Sequence, residues 1–155
     1  MARVPVSDRI NDCIFCRIAL GHLPDPIVFR TDQLVVFCPH APIQLGHCLI
    51  VPQHHIPNLY ELPDDLAGPI LQLAARVARA IKQEFAADGI SLRQHNDPAG
   101  GQEVFHFHLH VIPRYIGDAE RINTRLPALP HTDQVEIATR LRAALLVLPS
   151  EKLEL

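Results

Sequence analysis

The sequence predicts an α+β fold: an antiparallel sheet of about five strands with one long helix and a C-terminal helix. Three observations predict it. Apolar, β-branched runs at 27–30, 34–38 and 47–51 are separated by short polar stretches, as hairpin-linked strands are. Leu66, Ile70, Leu73, Val77 and Ile81 recur at helical spacing and mark one buried face. Residues 105–112 alternate large apolar side chains with His106, His108 and His110, the period of a strand with one buried face.

Taken in order, residues 1–12 read as a loose lead-in, and 14–20 as a short helix stopped by Gly21. Thr31-Asp32-Gln33 turns the first strand into the second, and Pro52 ends the third. Pro63, Asp64 and Asp65 suit the first turn of the long helix and Gly89 its stop. Pro69 either kinks that helix or marks its true start. Residues 90–95 and 104–112 supply the last two strands, joined by Asp97-Pro98-Ala99-Gly100-Gly101. The proline-rich segment 113–131 reads as irregular. The final helix is expected from Asp133, with Glu136 closing a capping box, to Pro149. Helices inserted this way are expected on one side of the sheet.

At 155 residues the chain is long enough for one domain with its own core. The motifs fall within 13–115, which leaves 116–155 as a C-terminal extension carrying a helix. Apolar residues make up 48% and charged residues 20%, a globular balance. A net charge of −3 gives no basic footprint for nucleic acid or an anionic membrane surface. No apolar run approaches the ~18 residues of a membrane span, and the N-terminus has no signal-like apolar core. Four cysteines in such a chain point to reduced thiols or metal ligands, with the cytoplasm as the expected compartment.

The histidine run carries the chemistry. On a strand, His106, His108 and His110 share one face, while Phe105, Phe107, Leu109 and Val111 share the other and are expected buried. Imidazole can attack phosphorus when one nitrogen is bare and the other is held by a hydrogen bond to a carbonyl. The middle histidine, His108, is the best flanked for that. Gly100-Gly101 brings main-chain N–H groups close to an anion, Gln102 offers an amide donor, and Arg114 follows the run.

The block from Gly101-Gln102 through His106-x-His108-x-His110 to Pro113-Arg114-Tyr115 resembles the signature of the histidine triad family of nucleotide-binding hydrolases and transferases. Cys13-Ile14-Phe15-Cys16-Arg17-Ile18 is similar to that family's N-terminal segment, and 46–55 to its central strand. The resemblance implies an α+β fold, commonly a homodimer, and attack on the α-phosphate by His108 to give a nucleotidyl-histidine. Water or another acceptor then takes the nucleotide from a phosphoramidate or a dinucleoside polyphosphate. It also implies that His110 and His47 orient the phosphate and manage the leaving-group proton. On residue type alone, His47 is equally a strand histidine satisfied by hydrogen bonds.

Cys13-x-x-Cys16 has the spacing of two ligands of a tetrahedral zinc, and equally of a redox pair or two core cysteines. A thioredoxin-like role would need a βαβ pattern, which is not evident here. The family resemblance implies a structural zinc completed by His106 and His55, with His54 the adjacent alternative. A rival reading makes the triplet itself an open catalytic zinc site. Residues four apart on a strand lie about 13 Å apart, which sets His106 and His110 against sharing one ion. Cys38 and Cys48 read as small core residues.

The resemblance places a purine against Ile14, Phe15, Ile18 and Phe37, which composition alone reads as core. Two positions depart from the family pattern. Pro39 stands where an acidic or amide residue holds the ribose. His95 stands where an asparagine precedes the glycine loop, leaving adjacent Asn96 as the candidate. Glu103 replaces a hydroxyl residue common in eukaryotic members. Pro39 motivates a competing reading, a nucleotide-binding regulatory or scaffold module without turnover.

Overall fold

The computed structural model describes residues 12–118 and 124–148. The lead-in through residue 11 and Pro149 lie outside the described residues. Helix α1 spans Ile14–Ala19 and is followed by the β1 (Ile27–Arg30) and β2 (Leu34–Phe37) hairpin. Strand β3 is Cys48–Pro52, helix α2 is Asp64–Phe85, β4 is Gly89–Arg93, β5 is Leu109–Arg114 and helix α3 is His131–Val147. The strands form one antiparallel sheet in the order β1-β2-β3-β5-β4.

Every residue of β2 and β3 is buried, because both faces of the sheet are covered there. Leu34, Val36, Cys48 and Ile50 pack toward α2 and α3, while Val35, Phe37, Leu49 and Val51 pack toward α1. Helix α1 therefore lies on the face opposite the other two helices, where one-sided packing was expected. Its short apolar stripe of Phe15, Ile18 and Ala19 needs the other sheet face to bury it. Cys38 and Cys48 are core residues.

Helix α2 starts at Asp64 with Pro63 as its N-cap and accommodates Pro69 within it. It stops at Ala86 in the left-handed conformation, φ 49°, so Gly89 opens β4 and does not end the helix. Helix α3 begins earlier than Asp133, with Pro130 at its N-cap. Proline has no side-chain acceptor, so the expected capping box is absent.

The largest departure is at the histidine run. Strand β5 begins only at Leu109, so residues 104–108 approach the sheet as irregular backbone. The Phe107 N–H donates to the Ile56 carbonyl at 2.6 Å, and Gln102 Nε2 holds the Val104 carbonyl at 3.0 Å. These partners draw the segment onto the loop after β3. Phe105 is consequently 49% exposed, while Phe107, Leu109 and Val111 remain in the α2-side core.

Candidate active site

The α1 face of the sheet carries one row of side chains across four strands. Phe37 on β2 is registered with Leu49 on β3, Leu49 with His110 on β5, and His110 with Arg93 on β4. Directly paired residues project to the same face. All four line one cavity of about 540 Å³, which Ile14, Phe15 and Ile18 of α1 roof with apolar surface. His47, His108 and Gly101 also line it.

Hydrogen bonds fix the tautomer of each histidine. The Ile43 N–H can only donate, and it reaches His47 Nδ1 at 3.1 Å, so His47 carries its proton on Nε2. That Nε2–H donates to His110 Nδ1 at 2.9 Å, which leaves His110 a donor at Nε2. His108 Nδ1 lies 2.7 Å from the His106 carbonyl and must be protonated to bond it, so its Nε2 is bare. The His108 and His110 rings lie 4.9 Å apart, centre to centre. A nucleophilic nitrogen and an N–H donor thus face one space. Gly46, at φ +88°, sets up this corner: a Cβ there would sit 2.7 Å from the Phe85 ring at the end of α2.

Electrostatics keep these rings neutral. Burial, then His110, Arg125 and Arg93, push His47 down to about 3. Burial, then His108, His95, Arg125 and Arg93, push His110 down to about 3. Burial also lowers His108, partly offset by its bond to the His106 carbonyl. A histidine whose folded pKa lies below its unfolded value of ~6.5 takes up its proton preferentially in the unfolded chain. Stability is then full above about pH 6.5 and falls as pH drops toward 3, by about 1 kcal/mol per pH unit for each ring. Urea melts from pH 7.5 to 5.0 should show this slope, and His110→Gln should flatten it. A midpoint that stays level across the range in the unsubstituted protein would refute this assignment.

His106 turns away from the other two histidines. Its Nε2–H donates to the Pro52 carbonyl at 2.9 Å, leaving Nδ1 bare, 3.4 Å from Cys13 Sγ and 3.4 Å from Cys16 Sγ. His55 Nδ1 lies 3.3 Å from Cys16 Sγ, and the ligating atoms of all four residues fall within 4.8 Å of one another. His54 is exposed and takes no part. Two thiols and two imidazoles at these separations match the edges of a tetrahedron with thiolate bonds near ~2.3 Å and imidazole bonds near ~2.0 Å. Burial and the neighbouring Cys13 push Cys16 up to about 12, a shift that a cation bound between the two thiols would oppose. The four residues fit a closed, four-ligand metal site, and the His106 carbonyl joins it to His108.

Several nominated residues sit elsewhere. Gln102 is buried, with Nε2 on the Pro57 and Val104 carbonyls and Oε1 on the Asp97 N–H, so its amide is engaged by the loop and does not line the cavity. Asn96 is likewise held by Gln94 and the Leu59 N–H. Arg114 is paired with Asp118. Conversely, Asp25, His40, Arg93 and Arg125 line the cavity without having been singled out by the sequence. Arg125, paired with Glu103 at 2.6 Å, comes from the C-terminal extension, where no motif marks it.

Residues 21–117 match the HIT domain family. The chain belongs to the histidine triad family. Among curated relatives it is 38% identical over 105 residues to Protein hit of Bacillus subtilis, covering 68% of this chain and 72% of that protein. It is 33% identical over 102 residues to the adenosine 5′-monophosphoramidase HNT1 of Saccharomyces cerevisiae, covering 66% and 62%. The zinc-bound histidine triad family protein of Mycobacterium smegmatis is 30% identical, with a TM-score of 0.80 over 92% of this chain and 99% of that one. The five-stranded antiparallel sheet of this chain, with its flanking helices, agrees with the fold class expected from the sequence.

Proposed function

We propose that this histidine triad protein is a hydrolase or transferase acting at the α-phosphate of a nucleoside phosphoramidate or dinucleoside polyphosphate. The observation that carries the reading is the bare Nε2 of His108, held open to the cavity by the bond between its Nδ1–H and the His106 carbonyl. The purine lies against Phe15, Ile18 and Phe37, and the phosphate against the Gly101 loop and His110. His108 Nε2 forms a bond to phosphorus as the bond to the leaving group breaks. The leaving group keeps that electron pair and takes a proton from solvent. The His106 carbonyl stabilises the positive ring of the adduct through its Nδ1–H. Water then adds to phosphorus, the N–P bond returns its electrons to Nε2, and a proton and the nucleotide are released.

The His110 Nε2–H supplies a hydrogen bond to a phosphoryl oxygen, and His47 keeps that tautomer in place. Cys13, Cys16, His55 and His106 hold a zinc ion whose role is structural, since four protein ligands leave no open position. The phosphoramidase activity named for the yeast relative and the zinc in the mycobacterial structure support both parts of the reading. Strand β4 is one of the two edge strands of the sheet and exposes Leu92, which favours pairing of two chains along that edge. Acid quenching during turnover of adenosine phosphoramidate should trap a nucleotidylated peptide containing residues 104–112. An adduct that maps to any other peptide overturns the assignment of the nucleophile.

A further inference from the structure

Pro39 lines the cavity but brings no polar side chain to it. The carboxylate of Asp25, from the loop before β1, lines the same cavity and is only 7% exposed. A buried carboxylate requires donors. The nearest is His40 Nε2, 3.2 Å from Asp25 Oδ1 at ion-pair distance, on a side chain that is itself 63% exposed.

The support behind Asp25 runs back to α3. Gln134 is 1% exposed, and its Nε2 donates to the Leu129 carbonyl at 2.8 Å, which fixes the amide's orientation. The same Nε2 lies 3.0 Å from His40 Nδ1, so Nδ1 accepts and His40 carries its proton on Nε2, aimed at Asp25. A buried glutamine is unusual on the core side of a helix, and Gln134 Oε1 is left without a partner. Gln134 and His40 thus back a carboxylate at the cavity wall.

Arg93, registered beside His110, and Arg125, paired with Glu103, line the His110 end of the cavity and favour the anionic part of a ligand there. Asp25 repels phosphate and accepts hydroxyl donors. We infer that Asp25, positioned by His40 and Gln134, binds the ribose hydroxyls of the nucleotide and makes the protein selective for ribonucleotides over deoxyribonucleotides. The inference rests on the nucleotide reading above and names the residue that supplies sugar specificity. Asp25 accepts from the 2′-hydroxyl, the 3′-hydroxyl or both, and no bond is made or broken. His40 and Gln134 are positioning residues.

Calorimetric titration of the full chain with AMP and with 2′-deoxy-AMP and 3′-deoxy-AMP tests this without depending on turnover. The unsubstituted protein should bind AMP roughly 10-fold or more tightly than at least one deoxy analogue, as for a hydrogen bond to a charged group. Asp25→Ala should bring all three ligands to within about 3-fold of one another, chiefly by weakening AMP. Asp25→Asn, which preserves shape, should also lose most of the preference. Gln134→Met should lessen it while leaving the carboxylate present, a change that mere loss of fold would not confine to the ribo/deoxy ratio. If AMP binds and the ratio is unity in the unsubstituted protein, or persists in both Asp25 variants, this inference is wrong and the nucleotide reading stands. If none of the three ligands binds, both fall.

Discussion

Replacing His108 with alanine is expected to abolish turnover of adenosine phosphoramidates and dinucleoside polyphosphates, by roughly 10³-fold or more, while the protein stays folded. The two halves of that expectation have separate origins. Among the described residues His108 makes one side-chain hydrogen bond, to the His106 carbonyl, and truncating it costs about 1 kcal/mol. Its Nε2, in contrast, is the only ring nitrogen of the His47–His108–His110 group that the hydrogen-bond pattern leaves both bare and facing the cavity. His110 cannot take over, because its Nδ1 is covered by His47 and its Nε2 holds the proton. Substituting His110 instead should slow the reaction less, since it removes a hydrogen bond to phosphate and leaves the nucleophile. Steady-state assays with both substrate types, beside thermal melts of each variant, check this. Full activity in His108→Ala would end the covalent mechanism. Absence of turnover in the unsubstituted protein across the panel, with nucleotide still bound, would favour the regulatory-module reading.

What could be read from the sequence was whatever depends on neighbours in the chain. The continuous apolar, β-branched runs at 34–38 and 47–51 identified strands, and the spacing of Leu66 to Ile81 identified α2, because local patterning reports burial directly. The pairing of Cys13-x-x-Cys16 with a histidine after β3 was also accessible, but choosing His55 over His54 required knowing which way the loop turns. Residues 104–108 failed as a strand for a reason of the same kind. Their alternating pattern is genuine, and His106 and His108 do face opposite Phe107, yet the backbone partners come from Ile56 and Gln102 and not from a neighbouring strand. Gln102 and Asn96 looked like ligand donors because polar side chains beside a glycine loop are free to be so. Folding engages their amides with the loop itself. Asp25 was hidden for the converse reason: a single aspartate between two prolines is an ordinary turn until His40 and Gln134, residues 15 and 109 positions later, close around it.

Removing the metal should cost stability on a larger scale than any substitution in the cavity. Cys13 and Cys16 flank the start of α1, His55 lies in the loop after β3, and His106 lies in the irregular approach to β5. One ion at their centre would tie α1 to two segments that are already bonded to each other through Phe107 and His106. The purified protein, prepared with reduced thiols and without chelator, should contain about one zinc per chain. At free zinc near a thousand times its dissociation constant, binding to the folded state alone stabilises it by about 4 kcal/mol. For a domain of this size that corresponds to a fall in melting temperature of roughly 10 °C on chelation or in Cys16→Ser. The chemical step should respond much less, because the ion has no open position for substrate and acts on His108 only through the His106 carbonyl. Activity measured well below the melting point should stay within about threefold per folded molecule, a change smaller than 1 kcal/mol in barrier height. Elemental analysis finding less than half an equivalent of zinc would count against the site. A Cys13→Ser variant that melts like the unsubstituted protein but turns over far more slowly would show that the ion serves catalysis and not the fold.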